Sequence, residues 1–243
     1  MRSAHSRRPR PRTFLAAVLL VPVPPLPPAQ ASTKAVRIEK QSPTSEVMVY
    51  DPEAPDQQRL PPRDLDQDAI TICDYWCKPV LAHRTLATSL EPGGCVATIE
   101  VLESRIILEL SMITWLPEEA SKTLRRHEAA HRDICERVYH RGEHATRETA
   151  TRLIGRPVRG EGSDCKRAVN DAVSHTASNE ICGLYSYSRG EAAQRIVAIY
   201  DSLVRSGQAE KMSVRTAIRA AFEHYHRDLE RGRAAETSAG VAP

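Results

Sequence analysis

The sequence predicts an α+β fold, a small antiparallel sheet followed by a helical half, on two observations. Residues 69–114 carry runs dense in Val, Ile and Thr, one of them following the turn Pro92-Gly93-Gly94. From Pro117 onward the pattern changes, and apolar residues such as Leu124, Ile134 and Val138 fall near one face of a helix.

Each element can be justified in order. Residues 1–31 read as a secretory signal peptide: five arginines open the chain, Phe14 to Val23 is a short apolar core, and Ala29-Gln30-Ala31 is a small-x-small cleavage site. The apolar run is about ten residues, half of what a membrane span needs. Residues 32–68, rich in Pro, Asp and Gln around Val47-Met48-Val49-Tyr50, read as a weakly structured lead-in. A single domain is expected over 69–233. Its strands are Ala69–Cys73, Cys95–Leu102 and Arg105–Thr114, the last two forming a hairpin about Glu103-Ser104. The first helix starts at Pro117 and frays near Gly142 or runs to Leu153, before Gly155-Arg156-Pro157. Further helices are expected from the Ser163-Asp164 cap to about Ser186, over Glu191–Val204 and over Met212–Arg231, with residues 234–243 a disordered tail.

Charge excludes one class of partner. The formal charge of +3 comes from the signal segment; without its five arginines the chain has 29 basic against 31 acidic side chains, about −2. The positive footprint of a nucleic-acid binder is missing, and no later segment suits a membrane span. All six cysteines follow residue 31, and an even count in an exported chain points to up to three disulfides in a secreted or periplasmic protein, with connectivity left open. Cys165 and Cys182 are not expected to pair, because a continuous helix would hold them about 25 Å apart.

The chemistry sits in His127-Glu128-Ala129-Ala130-His131. Two histidines four apart on a helix share a face and can present two imidazole nitrogens to one Zn²⁺, with Glu128 as general base towards the zinc-bound water. Cys135 aligns with them, but lies about 6 Å farther along the axis, so a bridge pinning the helix is expected of it. Strands before a His-Glu-x-x-His helix, with more helices after it, is the order of a zincin-like metallopeptidase: a neighbouring strand binds extended substrate and a later helix returns a third ligand.

Gly94-Cys95-Val96, the Val/Ile-rich strands, Trp115-Leu116-Pro117 and Leu124 to Ile134 around the pentad resemble the predicted secreted Zn-dependent proteases of bacteria in the DUF922 family. The resemblance covers roughly residues 69 to 140 and implies a peptide or protein substrate. A metzincin is excluded, because Ile134 and Arg137 stand where that class needs Gly and His. His140 and His144 lie about 13 and 20 Å beyond His131 along the helix and are too far to share its metal. Two candidates remain for the third ligand. His175 is similar in placement to the downstream His of the resembled family, and Glu180, in Asn179-Glu180, looks like the ligand of gluzincins. They point to faces about 140° apart, so at most one of them is expected to bind, and His175 is preferred on ligand chemistry. Tyr185, Tyr187 and Tyr200 are candidates for an oxyanion donor. Two other readings stay open: an exported, disulfide-stabilised binding or scaffold protein whose pentad is degenerate, and a zinc amidase acting on cell-wall peptides.

Overall fold

The computed structural model describes residues 35–51, 69–206 and 212–239. The chain divides into the units Met1–Gln30 and Ala31–Pro243, and all described residues belong to the second. The expected signal peptide lies outside them.

Mixed α and β structure is present, as composition and periodicity predicted, but the sheet is larger and not purely antiparallel. Its strands are β1 (Val36–Lys40), β2 (Thr44–Tyr50), β3 (Ile70–Glu91), β4 (Gly94–Pro117) and β5 (Pro157–Gly162). β4 organises them. β3 runs antiparallel along one of its edges, while β5, β1 and β2 follow one another along it, the first antiparallel and the other two parallel. Two strands therefore occupy 36–50, inside the stretch expected to be weakly structured. Their short apolar runs are stabilised by pairing with a strand almost 70 residues away, which no local pattern reveals.

The expected hairpin at Glu103-Ser104 is not formed. These residues have none of the Gly, Pro or Asn chemistry that a tight turn uses, and β4 passes straight through them, with Ser104 buried between Val36 and Leu81. The hairpin instead joins β3 to β4 at Pro92-Gly93, where Gly93 takes φ +103°, a value that favours glycine.

The helices are α1 (Lys122–His140), α2 (Glu143–Leu153), α3 (Cys165–Asp171), α4 (Asn179–Arg205) and α5 (Val214–Ala239), with a π-helical stretch, Ala172–Ser178, leading into α4. α1 begins five residues later than Pro117 suggested, because Ser121 caps it by accepting from Leu124 N–H. The second and third expected helices are fused, Gly183 and Gly190 being carried inside α4. α5 continues to Ala239, into the expected tail. β5 packs tightly on the segment after it: a Cβ on Gly160 would come within 2.2 Å of Ala172 N.

Alternation along the two long strands decides what faces the helices. Ile106, Leu108, Leu110 and Met112 of β4 are buried against Ile134, Val138 and Tyr139 of α1, with Ile181 and Ile196 of α4 and Ile218 of α5 completing the core. Opposite them on β3, Thr71, Cys73, Tyr75 and Cys77 share that face. Cys73 bonds to Cys135 of α1, Cys77 to Cys182 of α4, and Cys95 of β4 to Cys165 of α3. All six cysteines are paired, the 165–182 bridge is not made, and Cys135 pins its helix. Among the described residues no helix is long and apolar enough to cross a membrane.

Candidate metal centre

α1 presents the pentad as its spacing requires. The rings of His127 and His131 stand 4.5 Å apart, edge to face, on the side of α1 that meets α4 and the start of β3. His127, Glu128 and His131 each offer a ligand atom within 4.8 Å of the others.

The decisive contact comes from α4. Asp201 Oδ1 lies 2.8 Å from Nε2 of His131 and 3.2 Å from Nε2 of His127, so one carboxylate oxygen faces the same nitrogen of both rings. Three donors on one tetrahedral ion, with bonds of about 2.0–2.1 Å, stand roughly 3.3 Å apart. The Asp201 contacts come within a few tenths of an ångström of that, and the donor set of two imidazoles and one carboxylate is one that zinc accepts. These residues fit a divalent metal.

Glu128 holds a different place. Its Oε2 lies 3.3 Å from Nδ1 of His131, the nitrogen turned away from Asp201, so it is set apart from the point that the two Nε2 atoms share. Thr71 Oγ1 donates to the same Oε2 at 2.7 Å and lies 3.1 Å from Thr114 Oγ1, its cross-strand neighbour. A buried carboxylate is thereby fixed by a hydroxyl pair from the sheet and by a histidine one turn along its helix.

The charges hold one another in place. Burial alone raises the Glu128 pKa, but hydrogen bonds from His131 and Thr71 and the charges of both histidines bring it below the ordinary value. Burial lowers that of His131, and this is outweighed by the hydrogen bonds to Asp201 and Glu128, which raise it to about 9. Asp201 is held well below the usual carboxylate range: burial opposes this, and the hydrogen bonds and charges of His127 and His131 override it. His131 thus meets a carboxylate oxygen at each ring nitrogen.

A cleft of about 290 Å³ opens on this cluster, walled by Ala69, Leu124 and Val204 and flanked by Arg205. A larger cavity of about 470 Å³ lies between α4 and α5, lined by Arg195, Tyr225 and Asp228 and by none of the pentad. The smaller one has the chemistry.

No protein family, curated protein or solved structure matches this chain.

The residues expected to complete the site are elsewhere. Glu180 is paired with Arg156, and His175 is exposed in the π-helical stretch. Asp201 stands 21 residues after Glu180 on one continuous helix, about 30 Å along its axis, so neither candidate shares the end of α4 that meets the histidines. His144 is exposed and paired with Glu148, and the His140 carbonyl accepts from Lys40 Nζ; α1 ends at His140 and α2 begins at Glu143, so the helix does not continue unbroken to His144.

Of the three tyrosines, Tyr200 is beside the site, its buried ring 5.5 and 5.8 Å from those of His127 and His131. Tyr187 is 72% exposed, and Tyr185 is buried against α2. Sequence reasoning missed Asp201, Thr71 and Thr114. Nothing local marks Asp201; only its distance from α1 in the folded chain gives it meaning.

Proposed function

We propose that this chain is an exported, zinc-dependent, zincin-like hydrolase that cleaves peptide bonds, with His127, His131 and Asp201 holding the ion and Glu128 serving as general base. The observation that carries this reading is the convergence of two Nε2 atoms on one oxygen of Asp201, with a second, separately anchored carboxylate adjoining them. A third ligand on a helix after the pentad helix is the arrangement expected from the zincin order, with Asp201 in the place that His175 was expected to take. The three disulfides suit an oxidising compartment.

A divalent ion bound there would supply Lewis acidity, polarising the scissile carbonyl and making a water molecule acidic near neutral pH. The residues supply the rest. Glu128 is kept ionised, and both of its side-chain contacts fall on Oε2, leaving Oε1 to take a proton and pass it to the leaving amine. Thr71 and Thr114 hold that carboxylate in one orientation. Tyr200 packs its ring beside both histidines.

Substrate shape follows from the walls. A cleft of this size suits a residue or two of an extended chain. Farther along, Ile70–Asp74 form the side of a groove of about 310 Å³ whose other side is Gly190, Ala193, Gln194 and Val197 of α4. Among the described residues β3 pairs with β4 alone, so its second edge suits strand addition by a peptide along this groove.

The test is metal content combined with one substitution. Protein purified without chelator is expected to carry about one zinc per chain, and Glu128→Gln to keep the zinc while losing about 10²- to 10⁴-fold in hydrolysis of an unfolded protein. Zinc near zero after zinc-replete refolding would overturn the reading in favour of an exported binding protein.

A further inference from the structure

β3 and α4 lie side by side and run in opposite directions. Cys182 of α4 is bonded to Cys77, Gly190, Ala193 and Val197 stand across the groove from residues 70–74, and Asp201 and Arg205 share the metal cleft with Ala69. Groove and cleft therefore follow one another as a single track, and the histidine–aspartate cluster sits near one end of it. At 1.5 Å per residue, Gly190 lies about 16 Å from Asp201 along the axis, whereas Arg205 lies about 6 Å beyond it on the other side. An extended peptide advances about 3.4 Å per residue. The track thus has length for about five residues on the groove side of the cluster and for one or two on the side of Arg205.

The short end closes on a positive charge. Arg205 is the only Lys or Arg that lines the cleft, and its side chain has no ion-pair or hydrogen-bond partner among the described residues. The two carboxylates of the cleft are already engaged, Asp201 by both histidines and Glu128 by Thr71 and His131. A guanidinium left in this way suits a carboxylate brought by the substrate, which it can grip with two parallel N–H···O bonds.

Strand direction says which carboxylate. Antiparallel pairing is the more stable per residue when a peptide adds to a sheet edge. β3 starts beside the cleft and runs away from it, so a peptide antiparallel to β3 runs towards the cleft and brings its C-terminal end to Arg205. We propose that Arg205 binds the C-terminal carboxylate of the peptide and that the enzyme is a carboxypeptidase releasing the last one or two residues. This narrows the hydrolase reading above and rests on it. The amide bond before those residues breaks; water gives its oxygen and one hydrogen to the acyl carbon as the new carboxyl group, and its other proton goes through Glu128 to the leaving amine. Arg205 keeps its proton and holds the terminus.

One neutral, extended peptide is offered in three forms: with a free C-terminal carboxylate, as the C-terminal amide, and as an amide with glutamate as its penultimate residue. Products are read by mass spectrometry, and affinity for the uncleaved peptides by calorimetry on zinc-loaded Glu128→Gln protein. The free acid is expected to lose one or two C-terminal residues and to exceed the amide at least tenfold in both kcat/KM and affinity. In Arg205→Gln that ratio should fall close to one through KM, and Arg205→Lys should restore part of it. Cleavage far from the terminus, an acid-to-amide ratio near one, or a ratio unchanged in Arg205→Gln would overturn the proposal while leaving an active zinc hydrolase. A glutamate amide handled as well as the free acid would overturn it in favour of an acidic side chain. Protein that binds no zinc would overturn the hydrolase reading itself, and this proposal with it.

Discussion

Asp201→Asn isolates the residue on which the metal site turns. Asn keeps the size and one oxygen of the side chain but removes the charge that faces both Nε2 atoms. A four-ligand structural zinc site is worth about 10–16 kcal/mol at neutral pH, or roughly 3–4 kcal/mol per ligand. Replacing one strong ligand by a weak neutral oxygen should then weaken zinc binding by about 10²- to 10³-fold, at 1.4 kcal/mol per tenfold. Competition against a chromogenic chelator at fixed pH reads this directly, and the cobalt-substituted protein gives a second signal in its visible spectrum. The metal-free variant carries an internal check, because without the Asp201 partner the His131 pKa should fall from about 9, as read by NMR titration of the ring. An affinity within threefold of wild type would refute the ligand role, as would a larger loss in His175→Ala than in Asp201→Asn.

Three further outcomes are expected. Metal-free protein should lose stability as pH rises: the folded pKa of His131, about 9, is above its ordinary 6.5, so its contribution is complete below about 6.5 and gone above about 9, while that of Asp201, whose pKa is depressed, is lost only on acidification. Equal unfolding free energy at pH 6 and pH 9.5 would contradict this, and zinc affinity should climb over the same interval as the proton on His131 is displaced. Thr71→Val removes a hydrogen bond to an ionised carboxylate, worth about 1.5–3 kcal/mol, and should lower kcat about tenfold or more at nearly constant KM, with Thr71→Ser restoring it; a change confined to KM would place Thr71 outside the base. Replacing Cys73 and Cys135 by Ala opens a loop closed across 62 residues and should cost about 4 kcal/mol in denaturant unfolding, whereas a loss below 1 kcal/mol would mean that the unfolded chain gains little from the cut.

What the sequence made legible is what short-range physics controls. The His127 and His131 rings share a face because four residues make about one turn, and the pairing of Cys135, one turn farther along, follows from its axial rise. The strands β1 and β2 were not legible, since Val36–Lys40 and Thr44–Tyr50 take their strand partners from 104–117, far along the chain. β4 was read as two strands because polar Glu103-Ser104 interrupt its apolar pattern, although a central strand can carry a polar pair when its backbone is bonded on both sides. Asp201 was illegible for a sharper reason. A carboxylate after a tyrosine in an amphipathic helix has the same local signature as a solvated one, and only the fusion of two expected helices into α4 carries it to the histidines.

That fusion explains why two of the disulfides fall where they do. β3 is the common reference for the site: Thr71 fixes the base, Cys73 ties down α1 one turn beyond His131, and Cys77 ties down α4 at Cys182, all on one face of the strand. The residues proposed to hold the ion are thus carried by two helices that are each bonded covalently to the same strand. α1 is anchored close to its ligands, but Asp201 lies 19 residues from its anchor, about 28 Å along the axis. Its position therefore depends on the residues between being continuously helical, and one residue added there would turn Asp201 by about 100° around the helix and away from both imidazoles. The buried side chains Tyr185, Ala192, Ala193, Ile196 and Tyr200 along that span hold the register, so the packing of α4 on the sheet is what brings the third donor to the pair.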